Sequence, residues 1–194
     1  MSKPAPAQII GLACVVVGVG PGGSTSMLAR VAVVDYRGQT LLDSYVQPTM
    51  QVSDYRTSTT GIEAGHLAPG SAMRFQDVQA RVADLMKGKT VVGHSLWLDL
   101  SVLGIPHPAV ATRDVALYQP FRNALRSPNQ VVGLQTLMWR LMNRRAQDDK
   151  QCPLEKARAA VDLYRSHATE WEDHVSKGQW PCQLPPSTFS RCYT

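Results

Sequence analysis

One arrangement of residues in the chain looks able to do chemistry on sight: Gly18-Val-Gly20-Pro-Gly-Gly23, a G-x-G-x-x-G pattern directly after an apolar run. In a dinucleotide-binding unit such glycines let the backbone approach a pyrophosphate at a helix N-terminus, and an acidic residue about 20 positions on holds the ribose. Spacing rejects that chemistry here. Only residues 24–27 separate the glycines from the next apolar run, which leaves no room for the helix. The following carboxylate, Asp35, arrives too early, and Pro21 suits a turn better than a phosphate cradle. The glycines read as a hairpin loop.

Other nucleophiles and bases lack partners at a useful spacing. Cys14 lies inside an apolar run, where burial disfavours the thiolate. Ser95 and Ser101 lack the nucleophile-elbow pattern, and His66, His107, His167 and His174 show no ligand spacing. The four cysteines, Cys14, Cys152, Cys182 and Cys192, form no C-x-x-C pair, so neither a zinc site nor a disulfide framework is indicated. Lys and Arg number 20 against 15 Asp and Glu, a net charge of +5 that permits nucleic-acid contact without requiring it. No apolar window approaches the ~18 residues a membrane span needs. The opening MSKPAPAQ has no apolar signal core, so the expectation is an intracellular protein, nuclear or cytoplasmic, with no membrane partner.

A 44% hydrophobic chain of 194 residues is enough for one core. Residues 9–19 are dense in β-branched side chains and predict a buried central strand. Residues 28–35 and 40–46 predict two more strands, joined by short turns into an antiparallel meander. Residues 48–73 read as irregular, with DYRTSTTGI (54–62) as their most distinctive part. Phe75, Val78, Val82 and Leu85 recur at helical spacing, predicting a helix over 75–86 that ends at Gly88. A short strand at 90–93, a helix over 96–103 and a strand within 109–117 follow. Helices over 132–143 and 154–172 complete the list. The expected class is α/β, a mixed five-stranded sheet flanked by helices, with a lead over 1–8, one domain over 9–175 and a Pro-containing extended tail over 176–194.

In this order GVGPGG, LARVAVVDYRG (28–38), LLDSYVQP (41–48), DYRTSTTGI, VADLMKGKTVVGHSL (82–96), RDVALYQPFR (113–122) and EKARAAVDLYRSHATEW (155–171) resemble the RNA exonuclease four group of DEDDh 3′-to-5′ exonucleases, which includes the interferon-stimulated exonuclease. The resemblance covers about residues 10–171 and implies an RNase H-like exonuclease fold. It also implies two-metal hydrolysis, in which four carboxylates hold two Mg²⁺ or Mn²⁺ ions and a histidine takes a proton from the attacking water. The family's Asp-x-Glu falls on Ala13 and Val15. Its second motif falls on Gly93, His94, Leu98 and Asp99, and the His and Asp of its third fall on Gln151 and Lys156. Asp99 is the single matching metal-ligand carboxylate, and residues 11–23 contain no Asp or Glu at all.

The resemblance therefore implies a degenerate member: no catalytic residue and no metal, the site positions being Ala13, Val15, Asp99, Gln151 and Lys156. Mg²⁺ or Mn²⁺ enters only if a rearranged site keeps the domain an active RNA or DNA exonuclease. The expected role is a pseudo-exonuclease domain binding a protein partner or RNA. Asp99 and Lys156 either pair in the vacated pocket or both reach solvent at its rim. His94 corresponds to a non-catalytic histidine of the family, and Trp97 either stacks a base or plugs the empty site. Arg122, Arg126, Arg140, Arg144 and Arg145, which flank the segment bordering the family's cleft, are the expected nucleic-acid contacts. The tail, with Trp180 and three prolines, either docks a partner or wraps its own domain.

Overall fold

The computed structural model describes residues 3–147 and 149–194, so part of the expected lead, Met1 and Ser2, lies outside the described residues together with Asp148. β1 (Ile9–Val19) is apolar throughout because both its faces are covered. It turns through Pro21–Gly23 into antiparallel β2 (Thr25–Asp35), which pairs in turn with β3 (Thr40–Tyr45). β4 (Val52–Asp54), the four-residue α1 (Thr57–Thr60), α2 (Phe75–Met86), β5 (Thr90–Gly93) and α3 (Leu96–Leu103) follow. β6 (Thr112–Asp114), α4 (Gln119–Ala124), α5 (Leu134–Met142) and α6 (Pro153–Ser176) end the series. The sheet runs β3-β2-β1-β5-β6, with β5 parallel to β1 and β6 parallel to β5.

The sheet is six-stranded rather than five-stranded. The additional strand, β4, adds antiparallel to the far end of β1 at Gly18 and Val19, inside the segment read as irregular. Alternation along β1 sorts the core into two layers. Ile9 and Ala13 face α5 and α6, while Ile10, Leu12 and Cys14 face α2 and α3. Gly11 permits the close approach of α6: a Cβ there would lie 2.6 Å from Val161 Cγ2 and 3.0 Å from the Ala157 carbonyl.

Two buried carboxylates fix the frame. Asp114, at the end of β6, accepts the backbone N–H groups of Ser95 (2.9 Å), Leu96 (2.7 Å) and Ala116 (2.9 Å). The first two open α3, so one side chain satisfies donors that a helix N-terminus leaves without partners. Burial pushes Asp114 up to about 6 against those three donors. Glu172 on α6 grips Arg113 of β6 with both oxygens, at 2.8 and 2.9 Å, and accepts the Tyr164 hydroxyl at 2.8 Å. The tail is not free chain. Gln119 N–H donates to the Pro181 carbonyl and Gln183 N–H to that of Leu117, and a second contact joins His107 N–H to the Cys192 carbonyl. Its last part coils as a 3₁₀ turn, Ser187–Cys192, against α3.

Candidate functional site

A cleft of about 560 Å³ opens where β1, α1, α3 and the start of α6 converge, lined by Cys14, Val16, Arg56, Thr60, Asp99, Gln151, Lys156 and Phe189 among others. α3, held at its N-terminus by Asp114, carries Asp99 inward while Leu98 stays half exposed. α6 begins at Pro153, whose fixed φ suits a first helical position, and brings Lys156 from the opposite wall. The connection ahead of α6 is pinned to α1: Gln151 N–H donates to the Thr59 carbonyl at 2.8 Å and Lys150 Nζ to that of Ser58 at 2.6 Å. Arg56 ties α1 to the glycine turn through the Gly23 carbonyl (3.0 Å) and Ser26 Oγ (3.3 Å).

Among the described residues, the polar centre of the cleft is an ion pair. Lys156 Nζ lies 3.6 Å from Asp99 Oδ1, which also accepts the Cys14 N–H at 3.1 Å. Asp99 Oδ2 is buried with no hydrogen-bond partner. Burial pushes the Asp99 carboxyl up to about 6, a rise that the Lys156 charge and the Cys14 N–H hold back. The Cys14 thiol is raised well above its usual value, first by burial and then by the Asp99 charge, so it rests as a thiol. Among the described residues no three His, Cys, Asp or Glu side chains are grouped so as to hold a metal ion.

Sequence comparison places this geometry in a lineage. Over 165 residues the chain is 39% identical to RNA exonuclease 4 of Xenopus tropicalis, an alignment covering 85% of this chain and 39% of that protein. The chain belongs to the DEDDh exonuclease family. Human apoptosis-enhancing nuclease is 36% identical over 187 residues, covering 93% of this chain and 56% of that protein. The chain thus spans roughly two-fifths to just over half the length of these relatives. The exonuclease module of Saccharomyces cerevisiae Pan2, solved in complex with A7 RNA, matches with a TM-score of 0.73 at 24% identity. That match covers 92% of this chain and 31% of that one and shows a shared fold. No family model matches the chain.

Within this DEDDh member, Asp99, Gln151 and Lys156 come together in the cleft, and the first alternative for Asp99 and Lys156, a direct pair, is the one the side chains adopt. Ala13 and Val15 do not line it. Both are buried on the opposite face of β1, Ala13 in the layer containing Ala157 and Ala160, and Val15 with Val17, Ala29 and Ile62. Cys14 and Val16 form the cleft wall instead. His94 is buried with Nε2 2.8 Å from the Val132 carbonyl, and burial lowers it to about 4, so it is a neutral structural histidine at pH 7. Trp97 neither stacks nor plugs: it is buried beneath the tail with Ala116, Leu117 and Phe189.

The arginines separate. Arg122 is 2% exposed with Nε donating to the Gln130 carbonyl at 2.8 Å, because α4 turns it and Phe121 inward; it offers nucleic acid no surface. Arg126 and Arg140 are exposed, and Arg144 is paired with Asp162 at 2.7 Å. Arg145 lines a second groove, on α5, with Trp139 and Arg140. Sequence reading missed Arg56 and Thr60 as cleft residues, although DYRTSTTGI was singled out, and missed Phe189, whose approach depends on the path of the tail.

Proposed function

We propose that this exonuclease-like domain does not carry out two-metal hydrolysis and serves as an RNA-binding module. The observation that carries the reading is the ammonium of Lys156 3.6 Å from Asp99, in the cleft that gathers Asp99, Gln151 and Lys156, three of the five site positions that the family resemblance implies. Mg²⁺ and Mn²⁺ require several oxygen ligands, and a fixed positive charge beside the one available carboxylate opposes cation binding. Neither the apolar residues at 13 and 15 nor any neighbour between Gly11 and Gly23 supplies another carboxylate. No resident metal is part of this reading. RNA is favoured as ligand by the net charge of +5 and by the RNA complex of the Pan2 module, which shares the fold.

The second reading, an active 3′-to-5′ exonuclease with a rearranged site, is favoured by the names of the relatives. Incubation with end-labelled single-stranded RNA and DNA in Mg²⁺ or Mn²⁺ separates the two. The expected result is no shortening, and a metal-dependent ladder that disappears in Asp99→Ala overturns the proposal. A gel shift across salt concentrations tests binding, because phosphate contacts weaken steeply as salt rises. Retention of a protein partner without any RNA shift at low salt would instead assign the module to protein interaction, for which the exposed Leu184 and Trp180 of the tail are the surface.

A further inference from the structure

The tail returns over β6 and leaves a cavity of about 350 Å³ between the two. Both ends of this arch are pinned to the frame. Gln119 N–H donates to the Pro181 carbonyl at 2.9 Å and Gln183 N–H to that of Leu117 at 3.0 Å. At the other end His107 N–H donates to the Cys192 carbonyl at 3.0 Å and Thr194 N–H to that of His107 at 3.2 Å. The walls are therefore preformed, and the volume falls in the range of about 300–1,000 Å³ that small-molecule sites occupy. Trp180 and Tyr193 supply two aromatic rings, and Leu184, Pro185 and Pro186 add apolar surface. Trp180 is 41% and Leu184 84% exposed, so apolar groups that share one concave surface stand in water. Their contiguity separates them from the single exposed apolar residues that any soluble surface carries.

The charge of the lining selects its occupant. Among the described residues it contains no Lys or Arg, so an anionic ligand, a phosphate included, meets no counter-charge there. Its carboxylate, Asp114, is committed to the backbone N–H groups of Ser95, Leu96 and Ala116. Burial raises the Cys182 thiol well above its usual value, the Asp114 charge adding to the rise, and the thiol lines the cavity as a neutral group. The Arg113 guanidinium lies 5.6 Å from the centroid of the Trp180 ring and braces it, while its charge is met by both Glu172 oxygens. Two rings on one wall favour a further ring in stacked or edge contact. The Ser187 and Ser190 hydroxyls are exposed on the same wall, and the Tyr193 hydroxyl is buried without a hydrogen-bond partner among the described residues.

We propose that the cavity between β6 and the tail binds an uncharged, flat aromatic molecule, with Trp180 and Tyr193 as its ring contacts and the Ser187 and Ser190 hydroxyls as its polar contacts. This site is separate from the cleft and does not rest on RNA binding there. The tail nevertheless joins the two. Ser187 and Ser190 line the cavity and Phe189, between them, lines the cleft, so an occupant holds the segment that presents Phe189 to the cleft.

The test follows the backbone and indole N–H signals of the isotope-labelled full chain by NMR while 2-naphthol, neutral at pH 7, is titrated. Naphthalene-2-sulfonate serves as the same ring with a fixed negative charge. The expected result is a saturable shift of the Trp180 indole signal and of amides within 180–193, with the sulfonate binding more weakly. Trp180→Leu removes one ring contact and should weaken 2-naphthol binding about 2- to 12-fold. Ser190→Lys sets a cation on the wall and should reverse the preference in favour of the sulfonate. Trp180 and Ser190 are both exposed, and unchanged circular dichroism melts would establish that the variants fold. No saturable shift at the solubility limit of 2-naphthol, equal binding by Trp180→Leu, or a sulfonate that binds the parent as tightly as 2-naphthol overturns the proposal. Shifts confined to the cleft residues Thr60, Val102 and Gln151 overturn it too.

Discussion

Lys156→Met is the most informative single change in the cleft, because it keeps the stem of the side chain and removes only the charge 3.6 Å from Asp99 Oδ1. Afterwards Asp99 keeps one hydrogen bond, from Cys14 N–H at 3.1 Å, and Oδ2 still has none. At an effective dielectric constant of about 20, charges at this separation attract by about 4–5 kcal/mol. Lys156 is one-fifth exposed, so solvent screening reduces the net loss to about 1.4–2.7 kcal/mol. Losing that attraction raises the Asp99 pKa further.

The sign follows from proton binding. The folded carboxyl titrates at about 6 against an ordinary value of 3.8, so between those values the folded state holds a proton that the unfolded state has lost. Its contribution therefore declines as pH rises from about 4 to about 6 and is constant above. Raising the folded pKa extends the decline above pH 6. Urea unfolding at pH 5 and pH 8, in a double-mutant cycle with Asp99→Asn, should give a coupling near zero at pH 5 and about 1.4–2.7 kcal/mol at pH 8. The cycle cancels the separate titration of His94. A coupling equal at both pH values, or below about 0.3 kcal/mol at pH 8, would refute the ion pair as the element that neutralises the cleft.

Three further outcomes follow from the frame. Glu172→Gln leaves the buried Arg113 guanidinium without its counter-charge and should cost about 3–5 kcal/mol by urea unfolding; joint replacement of both residues by Met and Leu should recover much of it. Gly18→Ala would put a Cβ 2.5 Å from the Gly23 carbonyl oxygen, so it should open the β1–β2 turn and lower stability by at least about 2 kcal/mol. Removing residues 179–194 uncovers Trp97 and Leu117 and deletes the Pro181 and Cys192 backbone contacts. Its melting temperature should fall by at least about 4 °C, with the core spectrum retained.

The parts of the fold legible in the sequence are those with sustained periodicity. β1 matches its expected bounds because eleven consecutive residues are buried on both faces or nearly so, and α2 because its apolar spacing survives for three turns. β4 and α4 were not legible for the same reason: three and six residues are too few to establish a period, and tertiary contact decides them. The inward turn of Arg122 follows from that missed helix, since charge alone argues for the surface. Asp114 carries no spacing signal, although it orders the start of α3, because its partners are backbone groups made adjacent only by parallel pairing of β5 and β6. The Asp99–Lys156 contact was legible only as one of two alternatives: the resemblance put both residues at one site, but the approach angle of α6, set partly by Gly11, decides whether they meet.

That contact also bears on where a polyanion can bind. In a two-metal nuclease the cations both neutralise the carboxylates and attract substrate phosphate, so the cleft is the electrostatic sink. With Lys156 committed to Asp99 the pair is neutral at pH 7 and the cleft loses that role. Arg56 lines the cleft as a cation whose guanidinium is oriented by the Gly23 carbonyl and Ser26. The chain nevertheless carries a net charge of +5, which permits contact with a polyanion outside the cleft. If the neutral pair leaves the cleft without attraction for phosphate, the salt dependence of RNA binding should persist undiminished in Lys156→Met; a reduced salt slope in that variant would place the binding in the cleft.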